Sequence, residues 1–106
     1  MQAISVSRDL REKFERIVRD GREAYTLAKR QADTAPRLAD LARAEVLFAQ
    51  AWAVADVAIT LAPSGQYTRW QDLRSEAFRY QNACRDVIGV LVADLAKTAE
   101  SPRAVA

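Results

Sequence analysis

Residues 46–62 read VLFAQAWAVADVAITLA, a stretch in which only Gln50, Asp56 and Thr60 are polar. A run this apolar is typical of a helix that is covered on most of its surface. At about 100° per residue, its side chains and those just before it fall on two opposite apolar sides. The first side carries Leu41, Phe48, Trp52, Ala55 and Ile59, and the second carries Val46, Leu47, Val54, Val57 and Leu61. Both sides need neighbours, and we expect a second copy of the chain to cover the second side, which makes those five residues a dimer interface.

Two breaks frame this helix. Before it, residues 32–36 read ADTAP, where Asp33 or Thr34 can cap the helix. After it, Pro63 and Gly65 end the apolar run, because proline and glycine in close succession do not continue a helix.

The periodicity on either side of these breaks predicts an all-α protein. Three long helices are expected at about 7–31, 35–62 and 67–99, packed antiparallel as a helical bundle that dimerisation completes. Residues 1–99 then form a single domain, and residues 100–106 are expected to be a disordered tail.

Helix three contains a segment whose residue types also suit a β-strand. Thr68 and Gln71 fit a capping box at its start. Residues 87–92, VIGVLV, have the β-branched side chains of a strand. A lone strand is not stable and nothing else in the chain offers a pairing partner, so we expect a helix here too.

Helix one is predicted to have a core-facing side whose second half consists of small residues. Its positions repeat every three or four residues and are Leu10, Phe14, Ile17, Gly21, Ala24 and Ala28. Gly21 has two interpretations, a helical glycine that admits a large neighbour such as Trp52 or Trp70, or a functional hinge. We expect the first.

The other side of helix one is crowded with mixed charge. Acids stand four residues before arginines in the pairs Glu12–Arg16 and Glu15–Arg19, an arrangement that stabilises a helix. Carboxylates interleaved in this way repel a phosphate backbone, so we expect a solvated face and no nucleic-acid partner. A nucleic-acid-binding accessory protein that uses this basic face remains the alternative.

The composition lacks the parts of most active sites. Lysine and arginine total 16 against 14 acids, histidine is absent, and Cys84 is the one cysteine. Without histidine the chain has neither the commonest general base nor the commonest metal ligand, and Cys84 lies on an apolar side where its pKa should be raised. We therefore expect no enzyme activity, no catalytic residues, no metal and no cofactor.

Two further observations concern location. The run at 46–62 is interrupted by Gln50 and Asp56 and is shorter than about 18 to 20 apolar residues, so we expect no membrane span. The N-terminal residues run straight into charges with no apolar segment, which argues against a secretory signal and favours the cytoplasm.

Aromatic residues suggest where a partner binds. Tyr67, Trp70 and Arg74, near the start of helix three, form a candidate contact cluster, because aromatic residues and arginine dominate interface hot spots. Equally, Trp70 can simply close the end of the core.

Glu45 interrupts an apolar side and is expected to pair with an arginine such as Arg22 or Arg74, the alternative being a polar contact to a partner. Asp56 is expected either to lie on a narrow polar strip with Thr60 or to pair with an arginine of helix one or three.

These observations predict a small regulatory or adaptor protein that acts by protein–protein binding. One concrete form is an inhibitor, an antiactivator that occludes the dimerisation surface of a transcription regulator. The basis is an apolar helix surface larger than one copy can bury, together with the lack of catalytic parts.

Overall fold

Three α-helices make up the part of the chain that the structure describes. In this computed structural model the backbone is described for residues 2–100 and the side chains for residues 8–98 other than Ser64. The helices are α1 (Gln2–Arg30), α2 (Thr34–Leu61) and α3 (Tyr67–Glu100), and a 3₁₀ turn, Ser64–Gln66, precedes α3. No strand occurs within residues 2–100. The predicted all-α fold with three long helices is confirmed, and the predicted tail lies outside the described residues apart from Glu100, which ends α3.

The helix boundaries differ from the prediction mainly at the start of α1. This helix begins at Gln2 and not near residue 7. Helix α3 begins at Tyr67, so Thr68 lies inside its first turn and is not the N-cap residue of a capping box. Residues 87–92 are helical throughout, as expected. Asp33 occupies the N-cap position of α2 with an extended backbone, although its side chain makes no capping hydrogen bond.

Helix α2 is the centre of the bundle. It packs along both α1 and α3, whereas the backbones of α1 and α3 approach each other only weakly. Its inner side is made largely of alanines that are almost completely buried, namely Ala44, Ala51, Ala55 and Ala58. Small residues let the two neighbouring helices come close, and the larger core side chains are supplied by Phe14, Leu41, Phe48 and Trp70.

Gly21 lets α1 lie close to the Phe48 ring of α2. A Cβ atom at this position would lie 2.8 Å from Cε1 of Phe48, well inside ordinary contact distance. The expectation that Gly21 admits a large aromatic neighbour is therefore met, but the neighbour is Phe48 and not Trp52 or Trp70. Phe48 also packs on Tyr80 of α3, with ring centroids 5.1 Å apart.

Candidate interaction surfaces

The outer side of α2 exposes an apolar stripe. The five residues predicted for self-association are referred to as the outer stripe; they are Val46, Leu47, Val54, Val57 and Leu61. Val46, Val57 and Leu61 are 55%, 50% and 58% exposed, while Leu47 and Val54 are half-buried. Val54 packs against the core, so the open part of this side of α2 is formed by Val46, Val57 and Leu61. An apolar row left open along a helix marks an interaction surface, because soluble proteins rarely expose large contiguous apolar patches.

The polar residues around the outer stripe are few. Among the exposed positions of α2 from residue 38 onwards, Arg43 is the one charged side chain, and Gln50 and Thr60 are the uncharged polar ones. The remaining exposed positions there are Ala39, Ala42, Val46, Ala53, Val57 and Leu61. This side of the helix therefore offers a partner an almost uncharged surface.

Helix α2 is also long and apolar enough to cross a membrane. It is the one such helix among the described residues, and 28% of its most apolar segment is buried inside the bundle. A core helix of a soluble protein and a signal sequence can have the same length and composition, so this property does not decide between a lipid and a protein neighbour.

The residues of the predicted contact cluster are not brought together on one surface. Trp70 is only 3% exposed and packs edge-on against Phe14, with ring centroids 5.9 Å apart. It closes the end of the core, the alternative that the sequence left open, and it cannot present its ring to a partner. Tyr67 is 45% exposed. Arg74 is held against α2, where Nη1 donates a hydrogen bond of 2.6 Å to Oδ1 of Asp56.

Two ion pairs connect α2 with α3. The first joins Arg74 to Asp56, as just described, and the guanidinium also lies 5.8 Å from the ring centroid of Trp52. The second joins Nε of Arg85 to Oε2 of Glu45 at 2.8 Å. Both acids are paired with arginines, as expected, but the partner of Glu45 is Arg85 and not Arg22 or Arg74.

An exposed aromatic residue lies between these two ion pairs. Phe78 is 48% exposed. It stands four residues after Arg74 and seven before Arg85, spacings that place all three side chains on the same side of α3. This side of α3 thus contains an aromatic residue flanked by arginines, the composition of an interface hot spot. The sequence analysis did not single out Phe78, which lies one helical turn after Arg74.

A groove runs between α1 and α3 on the opposite side of the bundle. One section has a volume of about 710 Å³ and contains Phe14, Val18 and Leu73 in its lining. A second section, of about 300 Å³, is lined by Phe48 and Ala83 among others. This groove could not be predicted from the sequence, because periodicity identifies the apolar side of each helix but not the separation of two helices.

Arg22 crosses this groove and connects its two walls. Its Nη2 donates a hydrogen bond of 2.6 Å to the hydroxyl of Tyr80 and lies 3.5 Å from Oε1 of Glu76. The guanidinium carbon is 5.1 Å from the centroid of the Tyr80 ring. Because Arg22 is largely exposed, this bridge adds only modest stability.

The charges of α1 remain mixed in the folded protein. Glu15 pairs with Arg11, with Nε and Oε1 2.8 Å apart, and not with Arg19 as the sequence suggested. Together with the Arg22–Glu76 contact, this pairing neutralises part of the basic face. Acidic and basic side chains therefore stay interleaved on this side of α1, an arrangement that is unfavourable to a phosphate backbone.

Cys84 is buried in the core. Burial, and to a lesser degree the carboxylate of Glu45, raise the pKa of its thiol to about 11. The predicted direction is confirmed, and a thiol with this pKa is a poor nucleophile because so little thiolate forms at neutral pH. Within the described residues no group of cysteine and acidic side chains has the arrangement of a metal site.

Comparisons with known proteins add no identification. No protein-family model matches the sequence, and neither the curated proteins nor the solved structures contain a match to it. The candidate surfaces must therefore be interpreted from their own chemistry.

Proposed function

We propose that this chain is a small regulatory or adaptor protein that acts by binding proteins and that self-associates through the outer stripe. The observation that carries the proposal is the half-exposure of Val46, Val57 and Leu61 along one almost uncharged side of the central helix. Burying such a row in a protein interface removes apolar surface from water, which is the main favourable contribution to association. Phe78, exposed on α3, supplies an aromatic anchor of the kind that concentrates binding energy.

The more specific form of this proposal is an antiactivator. A helix with a long apolar side can dock on the helical surface through which another protein forms its own dimer. In this form, the partner is a transcription regulator in the cytoplasm, and binding of this chain occludes the regulator's dimerisation surface. The support for this form is the helical nature of the exposed surface.

Light scattering tests self-association directly. The wild-type protein should have twice the chain mass of 11.8 kDa at micromolar concentration. Val57→Glu should give the monomer mass, because the interface would then enclose one carboxylate from each copy among mostly apolar side chains. Val90→Glu is the matched control, since Val90 is also an exposed helical valine but lies on α3 away from the stripe, and it should leave the dimer intact.

A wild-type monomer at this concentration contradicts self-association. An increase in mass on addition of duplex DNA at low salt would favour the nucleic-acid alternative. The antiactivator form requires a further result: purified transcription regulators should lose their dimer mass in the presence of the wild-type protein and keep it in the presence of Val57→Glu.

A further inference from the structure

A small pocket lies where the end of α1 and the start of α2 meet α3. Its volume is about 220 Å³, less than the roughly 300 to 1,000 Å³ of pockets for drug-sized ligands. Two of the side chains that line it are cationic, three are apolar and one is a phenol; they are Lys29, Arg37, Ala28, Leu41, Val87 and Tyr25. No carboxylate belongs to this described lining, whereas the lining of the large groove between α1 and α3 contains three glutamates. The pocket therefore combines positive charge with room for a small ligand only.

The two cations of this pocket have no acidic partner within residues 8–98. No ion pair in that range joins Lys29 or Arg37 to a carboxylate. Lys29 places Nζ 4.7 Å from the ring centroid of Tyr25. Asp40, three residues after Arg37, accepts a hydrogen bond of 2.9 Å from Nε2 of Gln31 instead. The positive charge at the pocket is therefore left for a ligand to balance.

The guanidinium of Arg37 also has unused hydrogen-bond donors. Arginine carries five N–H donors, and the hydrogen bond that Arg37 makes here runs from Nη2 to the carbonyl oxygen of Gln31, at 2.6 Å. Its Nε is buried and has no hydrogen-bond partner. Nε of Arg11 shares this property, but it lies 2.8 Å from a carboxylate oxygen of Glu15, so its charge is compensated. Because buried donors in proteins are normally hydrogen-bonded, the site at Arg37 is one that a bound anion can complete.

We infer that this pocket binds a small monocarboxylate with a compact apolar body, of about the size of benzoate. The carboxylate accepts hydrogen bonds from the guanidinium of Arg37, whose planar fork matches two carboxylate oxygens, and it lies beside the ammonium group of Lys29. The apolar body packs on Leu41, Val87 and the ring of Tyr25. Phosphate fits less well, because its polar oxygens on every side would lie against these apolar groups and lose hydrogen bonds to water. None of the lining residues belongs to the outer stripe, so this site does not depend on self-association.

An NMR titration of the ¹⁵N-labelled wild-type chain with benzoate tests the inference. Saturable shifts should be concentrated at the backbone amides of residues 25–29, 37–41 and 87. Benzamide has nearly the same shape but no charge, and it should give no saturable shifts. Inorganic phosphate should bind at least about tenfold more weakly than benzoate, since it gains nothing from the apolar lining.

Two substitutions test the roles of the cations. Arg37→Gln should weaken benzoate binding by about tenfold or more, the usual effect of losing hydrogen bonds to a charged group. Lys29→Gln should weaken it by about threefold, because an exposed ammonium contributes less. Arg43→Gln is the matched control, since Arg43 is an exposed arginine of the same helix that does not line the pocket, and it should bind benzoate like the wild type. Circular dichroism verifies that each variant keeps its helices. If Arg37→Gln does not fold because its bond to Gln31 is lost, Lys29→Gln still provides the test.

Several results would overturn the inference. Benzoate may give no saturable shifts, or bind Arg37→Gln and Lys29→Gln as tightly as the wild type, and either result excludes the proposed site. Phosphate binding as tight as that of benzoate would show a general oxyanion site and overturn the ligand class. Equally tight binding of benzamide would show an apolar pocket in which the cations have no role. The molar mass from light scattering is independent of all these results, so the proposed function can fail or succeed separately.

Discussion

Replacing Gly21 with alanine tests how tightly α1 is packed on α2. The new Cβ would lie 2.8 Å from Cε1, 3.0 Å from Cζ and 3.1 Å from Cδ1 of Phe48. Carbon atoms prefer about 3.5 to 4.0 Å, so the ring or the helix must move by about 0.7 Å. Phe48 is only 2% exposed and is also in contact with Tyr80, which leaves its ring little room.

Two opposing contributions set the size of the effect. Overpacking a core costs about 1 to 3 kcal/mol. Alanine is a better helix former than glycine by about 0.8 to 1.0 kcal/mol. The free energy of unfolding should therefore fall by about 1 kcal/mol, which corresponds to a decrease in Tm of roughly 4 to 8 °C for a domain near this size.

Gly89 provides the matched control. A Cβ atom there meets nothing within 4 Å, so Gly89→Ala should gain the helix propensity alone and raise the free energy of unfolding by about 0.5 to 1 kcal/mol. Urea denaturation followed by far-UV circular dichroism, at one fixed protein concentration, measures both variants. If Gly21→Ala is stabilised as much as Gly89→Ala, the Phe48 ring is not fixed against α1 and the reasoning fails.

Three further predictions concern other contacts. Because the pKa of Cys84 is raised from 9.0 to about 11, the folded state keeps the thiol proton at a pH where the unfolded state loses it. The contribution of this thiol to the free energy of unfolding should be fully present below about pH 9 and should decrease as the pH rises towards 11. In urea titrations, Cys84→Ala should reduce this dependence of the free energy of unfolding on pH. Arg22→Ala and Tyr80→Phe should each lower the free energy of unfolding by no more than about 1 kcal/mol, and a double-mutant cycle should give a coupling energy of about 0.5 to 1 kcal/mol between them. If the two effects are fully additive, Arg22 and Tyr80 do not interact across the groove. Trp70→Ala should lower the free energy of unfolding by about 3 to 5 kcal/mol, whereas Tyr67→Ala should change it by less than about 0.5 kcal/mol. Equal effects of the two substitutions would contradict the burial of Trp70.

The helices could be predicted from the sequence because each carries strong periodicity and the breaks contain proline or glycine. Helix α2 was placed to within one residue at each end. The start of α1 was missed because the first residues have no apolar period and no residue that ends or caps the helix there. Residues 87–92 were assigned correctly by their context, although their β-branched side chains favour a strand.

The candidate surfaces were predicted less well, because they depend on how the helices are rotated against one another. The second apolar side of α2 was visible in the sequence, and the structure leaves it open. Periodicity alone does not determine how far one helix is shifted along another. This shift decides which residue pairs with Glu45, which ring lies against Gly21 and whether Trp70 is buried. Phe78 was overlooked as a surface residue for the same reason.

Both α1 and α3 pack on α2, and this arrangement affects how the chain folds. Each close helix pair is consecutive in the sequence, α1 with α2 and α2 with α3, and each pair is joined by a short turn. The contact order is therefore low, and helical proteins of this kind fold within microseconds to milliseconds. During synthesis the α1–α2 hairpin can form before α3 has been made, with Phe48 already seated against Gly21. Helix α3 then packs on this hairpin and completes the core with Trp70 and Tyr80.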